Sequence, residues 1–335
     1  MSVSRRQLLA ASTSALWLSA CGGGGGGGGD SGGGNGQAIT WAVASRGRDG
    51  YPLSHVTYSN STLVANGSDG IGSNNGVFGA ISYRNASGAW AAVHIDAIGE
   101  FSYLNSLTCG NGRFVAVSSR GEIVTSTDGK TWTLAFAAGD YVEFWHVAFG
   151  NGKFLVMGQK ESVCSTWSST DGLAWSAAAP TGVPFGSTLT RLQFVNGKVY
   201  LIGGGAIGVS ENSGLTWSVM PITVNGVSIV LQGLAYGNGL YVVATDGGMI
   251  ATSPDFVTWT VRATVTMTSE FLCSEFLNGT FVLLMDRLVL TSADGITWTQ
   301  TTIGVPGDRL QSVAFDGTKY IAVGNPGLTV TGTLS

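Results

Sequence analysis

The stretch STDGKTW (residues 126–132) returns with small changes as STDGLAW (residues 169–175) and as SADGITW (residues 292–298). A catalytic motif normally occurs once in a chain, so a recurring phrase is more typical of architecture. Tryptophans that close such phrases recur about every 40 residues, and repeats of this length are typical of solenoids, propellers and other stacked arrays. They are Trp90, Trp132, Trp175, Trp217, Trp259 and Trp298.

Each repeat has the pattern of four antiparallel strands, which we name a to d in chain order. Strand a usually ends at an Asn-Gly pair, such as Asn111-Gly112 or Asn238-Gly239. This pair is a strong hairpin signal because both residues tolerate a positive φ. Strand b is a nearly continuous apolar run, which indicates burial on both faces. A sheet of this kind must stack on its neighbours, so the sequence predicts a β-propeller.

Seven starts of strand a predict seven blades. They fall near His55, Ser106, His146, Arg191, Gly233, Cys273 and Ser312. The seventh repeat stops before its tryptophan, whereas Trp41 stands near the start of the chain with no phrase before it. We therefore predict that the N-terminal strand completes the last blade beside residues 328–331, which removes two exposed sheet edges. The predicted fold class is all-β, a seven-bladed β-propeller of four-stranded antiparallel blades over residues 38–335.

The recurring phrase resembles the Asp-box (BNR repeat) of sialidase-type propellers, and the domain is also similar to photosystem-assembly-type propellers. The full spacing Ser-x-Asp-x-Gly-x-Thr-Trp occurs at residues 210–217, and four other copies are one residue shorter. The side chains at its aspartate position are Asp128, Asp171, Asn212, Asp255 and Asp294. Such a side chain accepts bonds from backbone N–H groups two residues on. We interpret the phrase as a structural fastener between strands c and d rather than as a source of catalytic aspartates.

Residues 1–21 have the pattern of a lipoprotein signal peptide. A basic start at Arg5 and Arg6 precedes an apolar run that is too short to span a bilayer as a helix. The segment ends in Leu-Ser-Ala-Cys, which resembles a lipobox with Cys21 as the acylated residue. An ordinary signal peptide with an incidental cysteine is the alternative. Export by either the Sec or the twin-arginine route is expected.

Residues 22–37 are predicted to form a flexible glycine-rich linker between the anchor and the propeller. Gly22 follows Cys21 where an aspartate would favour retention in the inner membrane, so we expect a bacterial cell-envelope protein at the outer membrane.

Composition excludes several classes of function. Charged residues make up 11% of the chain, the formal net charge is −4, and no basic patch is evident, so nucleic acid is not an expected partner. Cys109, Cys164 and Cys273 lack metal-site spacing, although two of them could pair in an oxidising envelope. No cofactor or metal is predicted, and the protein is expected to be a monomer.

Candidate ligand-binding residues follow from alignment of the repeats. His55, His146 and Arg191 share one position, the first residue of strand a, which lines the central channel of a propeller. Rim positions add Glu143, Glu270 and Arg309, three residues before their strand starts, with Trp145 nearby. All of these residues belong to the face that carries the d–a and b–c connections (the loop face). The alternative is that polar residues at strand starts are simply solvated at the channel mouth.

Connections d–a are longer and freer than the turns of the opposite face (the turn face), which carries the Asn-Gly pairs and the recurring phrases. Loops on a rigid scaffold often carry binding. We therefore expect a non-catalytic binding or assembly module whose loop face meets a protein or a glycan.

An enzyme is the alternative function. The early Arg-Ile-Pro of sialidases is absent and arginines are sparse, although recognition of a carboxylate favours guanidinium groups. Glu143 and Glu270 are expected in blades 3 and 6, across the channel, whereas paired glycosidase carboxylates lie roughly 5–10 Å apart. We predict no catalytic residue and keep a divergent sialidase-like or other glycoside-acting enzyme on the loop face as the second hypothesis.

Overall fold

The computed structural model describes residues 38–46, 52–68, 79–85, 88–93, 95, 98, 102–183, 189–203, 206–266 and 269–334. The predicted signal peptide, Cys21 and the linker of residues 22–37 lie outside the described residues. Every regular element in the described ranges is a β-strand, which confirms the predicted all-β class. A search of these ranges for an apolar helix long enough to cross a bilayer finds none.

The strands, numbered β1 to β30 in chain order, form seven four-stranded antiparallel sheets and one small hairpin, and this number of sheets confirms the predicted seven-bladed propeller. Blade 1 contains β2 (Leu53–Ser59), β3 (Thr62–Ser68), β4 (Gly79–Arg84) and β5 (Trp90–Val93). Blade 2 contains β6 (Leu104–Gly110), β7 (Arg113–Ser118), β8 (Glu122–Ser126) and β9 (Thr133–Ala137). Blade 3 contains β10 (Val142–Gly150), β11 (Lys153–Lys160), β12 (Val163–Ser169) and β13 (Ser176–Ala178). Blade 4 contains β14 (Leu189–Val195), β15 (Lys198–Gly203), β16 (Ala206–Ser210) and β17 (Ser218–Met220).

The short hairpin of β18 (Thr223–Val224) and β19 (Val227–Ser228) lies in the connection from blade 4 to blade 5. Blade 5 contains β20 (Leu231–Gly237), β21 (Leu240–Thr245), β22 (Met249–Ser253) and β23 (Thr260–Thr264). Blade 6 contains β24 (Cys273–Leu277), β25 (Thr280–Met285), β26 (Leu288–Ser292) and β27 (Thr299–Thr302). Blade 7 contains β28 (Arg309–Phe315), β29 (Tyr320–Asn325), β30 (Leu328–Leu334) and, as its outermost strand, β1 (Ile39–Arg46).

Blade 7 closes the ring by joining the two ends of the described chain. Strand β1 pairs antiparallel with β30, with Ile39 opposite Leu334 and Arg46 opposite Leu328. Trp41 is buried in this blade and its ring lies 5.9 Å from that of Tyr320. The predicted closure by the N-terminal strand is therefore confirmed.

Most innermost strands begin earlier than the sequence analysis predicted. Strand β10 starts at Val142 rather than at His146, and β28 starts at Arg309 rather than at Ser312. A β-bulge lies just before each of those predicted starts, and pairing continues on its far side. Glu143 and Arg309 are therefore strand residues, not loop residues as predicted. Blade 6 begins at Cys273 as predicted.

The core consists of apolar clusters between adjacent blades. Trp132, for example, packs in a cluster that contains Val64 and Ile81 of blade 1 and Phe114 of blade 2. Trp217 and Trp259 are buried in the same way, whereas Trp90, Trp175 and Trp298 are partly buried. Burial of one such ring contributes roughly 1.5–3 kcal/mol by apolar area. This packing across the gaps between blades fixes the ring, and with it the position of every inner strand.

Candidate functional site

Around the ring axis the a strand of each blade contacts that of the next, except between blades 4 and 5, where β20 contacts strand b of blade 4, β15. In six of the a strands the pairing with strand b shifts register just before a shared position, and such a bulge re-aims a side chain. The residues that follow these shifts are His55, Ser106, His146, Arg191, Gly233 and Ser312. The two serines at this position bond to the next blade. The amide of Val147 donates to Ser106 Oγ over 3.1 Å, and the amide of Val56 donates to Ser312 Oγ over 3.1 Å.

Arg191 of blade 4 bonds to blade 6, two blades along the ring. Only 2% of its surface is exposed, and its Nη2 donates to the carbonyl of Leu272 in blade 6 over 2.6 Å. Blade 5 lies between the two and has Gly233 at the shared position, where a Cβ atom would meet Ser274 of blade 6. No acceptor for Arg191 Nη1 is present among the described residues. The guanidinium therefore has one fixed donor and one donor without a protein acceptor in the described ranges.

His55 and His146 join Arg191 in the interior. Both imidazoles are buried, and burial lowers the pKa of His55 well below its usual value. The charge of His146 lowers the pKa of His55 further, the side chain of Asn66 raises it, and the charge of Arg191 lowers it again. His55 is thus neutral at pH 7. Both sequence-based interpretations placed these three side chains at the open mouth of the channel, whereas the structure buries them.

Blade 6 supplies Cys273 and Glu275 to the same interior, and we call His55, His146, Arg191, Cys273 and Glu275 the central cluster. Burial lowers the pKa of Arg191, and Cys273 and Glu275 raise it, so the Glu275 carboxylate acts on the guanidinium. Burial, aided by Glu275, raises the pKa of the Cys273 thiol to about 12. That thiol is protonated and unreactive at neutral pH.

Sequence reasoning missed two further polar side chains of the inner strands, Glu275 and Gln193. Both are buried, and each lies two residues after the shared position of its own strand. Side chains two apart in a strand point to the same face. A polar residue at that place in an otherwise apolar strand is the signal that could have identified them.

The remaining predicted residues lie outside the central cluster. Trp145 is buried in an apolar cluster with Leu192 and Trp217. Glu143 is half-buried and its Oε2 accepts a bond from Gln159 Nε2 over 2.7 Å. Arg309 Nε lies 3.6 Å from Asp286 Oδ1, and Glu270 is exposed. The structure thus brings together His55, His146 and Arg191 and separates them from the rim residues.

On the turn face, the recurring phrases are closed by their own hydrogen bonds. Asp171 Oδ1 accepts the amides of Leu173 and Ala174, and Ser169 Oγ accepts the amide of Gly172. The same pattern recurs around Asp128, Asp255 and Asp294 in part or in full, and Asn212 accepts the amide of Thr216. These amides hold the pKa of Asp128, Asp171 and Asp255 at about 2. The carboxylates serve the turn geometry.

Asparagines of the a–b turns bond to the next blade along the ring. Asn111 Nδ2 donates to the carbonyl of Thr170 over 2.9 Å, and Asn238 Nδ2 donates to that of Ala293 over 2.8 Å. Each also has the positive φ that an Asn-Gly turn requires. These bonds tie neighbouring blades together on the turn face.

Two surface grooves lie away from the central cluster. One of about 340 Å³ lies between blades 2 and 3, where Phe136, Trp167 and Ala178 line it. The other, of about 250 Å³, lies between blades 7 and 1, where Tyr58, Arg84 and Lys319 line it. In the described part of the chain, no group of three or more His, Cys, Asp or Glu side chains has the arrangement of a metal site. Cys109, Cys164 and Cys273 form no disulfide with one another.

Comparisons with known proteins agree with the fold. The family described as DUF6242 beta propeller domain matches residues 138–271. No curated protein sequence matches the chain. At sequence identities of 12–15%, the similarity to the solved structures below shows the fold alone.

One such structure, described as YCF48 bound to D1 peptide, is 15% identical with a TM-score of 0.64, covering 88% of this chain and 97% of that chain. A virginiamycin B lyase from Staphylococcus aureus is 12% identical with a TM-score of 0.67, covering 89% and 100% respectively. YCF48 from Cyanidioschyzon merolae is 13% identical with a TM-score of 0.61, covering 87% and 98%. Their shared shape is that of a β-propeller.

Proposed function

We propose that this protein is a cell-envelope lipoprotein, anchored at the outer membrane through Cys21, whose propeller is a non-catalytic binding module. Its ligand is an oxygen-rich segment of a protein or a glycan that docks on the loop face above the central cluster. The single observation that supports this best is Arg191, a buried guanidinium with one donor bonded to Leu272 and no acceptor for Nη1 in the described residues.

Arg191 has the chemistry expected of a recognition group. A guanidinium presents several N–H donors in a fixed plane, which suits carboxylate, carbonyl and hydroxyl oxygens. A buried donor without an acceptor is costly, so an oxygen from a ligand would be favoured there. The bond to Leu272 holds the guanidinium in one orientation before any ligand arrives, which reduces the entropy lost on binding.

Groups around Arg191 favour binding over bond cleavage. His55 is neutral because of its burial and the Cys273 thiol is protonated. The phrase carboxylates are engaged in turns on the opposite face, and their low pKa values suit fixed hydrogen-bond acceptors rather than proton donors. A similar propeller, YCF48, has been solved with a bound D1 peptide, so a scaffold of this shape can carry a protein ligand.

The test compares ligand capture by matched variants. Wild-type lipoprotein, Arg191→Gln and Lys130→Ala, which changes an exposed residue of the turn face, are purified from native envelope membranes after crosslinking. We expect one protein or glycan to co-purify with wild type and Lys130→Ala and to be lost from Arg191→Gln. Urea unfolding of each variant confirms that the propeller is intact.

Retention of the same ligand by Arg191→Gln would contradict the proposal. A parallel screen for sialidase and other glycan hydrolysis addresses the enzyme alternative. Turnover by wild type that disappears in His146→Ala and Arg191→Ala, but not in Lys130→Ala, would replace the binding module by a glycoside-acting enzyme.

A further inference from the structure

Four consecutive blades expose an aliphatic side chain at the same place on the turn face. The place lies two residues before the phrase tryptophan, and its residues in blades 3 to 6 are Leu173, Leu215, Val257 and Ile296, which we call the aliphatic arc. Their exposed fractions run from 46% at Ile296 to 77% at Val257. A single exposed aliphatic residue needs no explanation, but repetition at one loop position around half of a ring does.

The turn itself does not require an aliphatic residue there. Blade 2 has Lys130 at this place, and its amide donates to Asp128 Oδ1 over 2.8 Å. The amide of Val257 makes the equivalent bond to Asp255 over 2.9 Å. The backbone is therefore fixed alike with either side chain. Exposure of the arc carries a cost in water and no benefit to the turn.

Residues 1–37 also join the propeller on the turn face. Ile39 begins β1 opposite Leu334 at the end of β30. In the other blades, the end of strand c leads into the c–d turn, which lies on the turn face. In blade 7, β30 is strand c and β1 is strand d. The end of β30 and the start of β1 therefore lie at the position that the c–d turn has in the other blades. Blade 7 is the neighbour of blade 6, which carries Ile296. The arc and the connection to Cys21 thus share one face.

We propose that the aliphatic arc rests on the lipid surface in which the Cys21 anchor lies, so that the turn face meets the bilayer and the loop face points away from it. This inference rests on the proposed anchoring at Cys21. The chain from Cys21 to Ala38 can span at most about 60 Å when fully extended. A short tether gives the arc a high effective concentration at the surface, so a few shallowly inserted aliphatic side chains suffice.

Charge on the turn face selects the kind of lipid. The carboxylates of Asp128, Asp171 and Asp255 have pKa values of about 2 and are ionised at neutral pH. Asp171 and Asp255 lie in the same turns as Leu173 and Val257 and would be repelled by an anionic surface, whereas Asp128 lies beside Lys130 in the turn of blade 2. A zwitterionic interface accepts the aliphatic side chains without this repulsion. The arc is therefore suited to insertion between zwitterionic headgroups.

The experiment places a fluorescent reporter on each face of the full, acylated chain in vesicles of phosphatidylethanolamine and phosphatidylcholine. Val257→Cys and Tyr141→Cys are labelled with the environment-sensitive dye NBD. Tyr141 lies in the d–a connection of the loop face and is 72% exposed, which matches Val257. The unsubstituted chain, labelled in parallel, gives the background from Cys109, Cys164 and Cys273.

We expect the label at position 257 to emit at shorter wavelength and to be quenched by lipids that carry doxyl groups, and the label at position 141 to show neither effect. A label at Ile296→Cys should be quenched less when Leu215 and Val257 are both replaced by serine. Equal, water-like emission without quenching at positions 257 and 141 would overturn the inference. A label at position 257 that is shielded in native membranes but not in protein-free vesicles would do the same, because it would indicate a protein partner.

Vesicle flotation separates this inference from the anchoring on which it rests. The acylated chain should float with the vesicles, and Cys21→Ser should not. If the unsubstituted chain fails to float, the anchoring proposal fails. If it floats while the label at position 257 stays in water, only the orientation fails.

Discussion

Replacing Gly233 by alanine should destabilise the ring where the inner strands of blades 5 and 6 meet. A Cβ atom at this position would lie 2.8 Å from Ser274 Cβ and closer still to Ser274 Oγ. Rotation of the hydroxyl relieves only the second contact. The strands must then move apart by roughly 0.7–1.2 Å to reach an ordinary carbon–carbon distance of about 3.5–4.0 Å. Overpacking of this kind costs about 1–3 kcal/mol.

The measurement is equilibrium unfolding in urea, followed by tryptophan fluorescence. Gly247→Ala is the matched control because it adds the same methyl group in the same blade, where the nearest atom would be Thr245 Oγ1 at 3.8 Å. Ser274→Gly should rescue Gly233→Ala because it removes both clashing atoms. The double-mutant cycle should therefore give a favourable coupling of about 1–2 kcal/mol.

Two outcomes would refute this reasoning. Gly233→Ala and Gly247→Ala could have equal stability, or Ser274→Gly could fail to rescue. Either result would mean that Gly233 and Ser274 do not pack against each other where blades 5 and 6 meet.

Three further predictions concern pH and the gaps between blades. The pKa of Asp171 in the folded chain is about 2, below its ordinary value of 3.8. The stability that this carboxylate contributes is therefore present above pH 3.8 and lost as the pH falls through 2. Asp171→Asn should reduce that loss of stability, as measured by acid unfolding. The pKa of His55 is lowered in the folded chain, so below about pH 6.5 the unfolded chain binds a proton that the folded chain does not. The urea concentration at the midpoint of unfolding should therefore fall between pH 7 and pH 5. This decrease should be smaller in His55→Asn. Asn111→Gly keeps the positive φ but removes the hydrogen bond to Thr170. The free energy of unfolding in urea should therefore fall by about 0.5–1.5 kcal/mol. An unchanged midpoint would argue against a stabilising bond between these blades.

The repeat made the architecture predictable from the sequence. A blade must bury both faces, so the period, the Asn-Gly turns and the apolar b strands left few alternatives to a ring. The unpaired Trp41 at one end and the missing tryptophan at the other predicted the closure that β1 and β30 make. These features are local in sequence or repeat along it, which is why they can be identified without coordinates.

Strand boundaries and the interior of the ring were harder to predict. Bulges just before His146 and Ser312 moved the strand starts toward the N-terminus, and no sequence signal marked them. The shared position of His55, His146 and Arg191 was correctly inferred, but their burial was not, because burial depends on side chains from several blades at once.

By itself the sequence determined a seven-bladed ring, its closing strand and the turns that fasten it, because each of these follows from hydrogen bonding and burial within one repeat or between successive repeats. Only the tertiary structure decided that Arg191 bonds to Leu272 two blades away, that Glu275 acts on the same guanidinium, and that the aliphatic arc and the N-terminal connection share one face. Those relations join residues far apart in the chain, and the circular arrangement of the blades sets them.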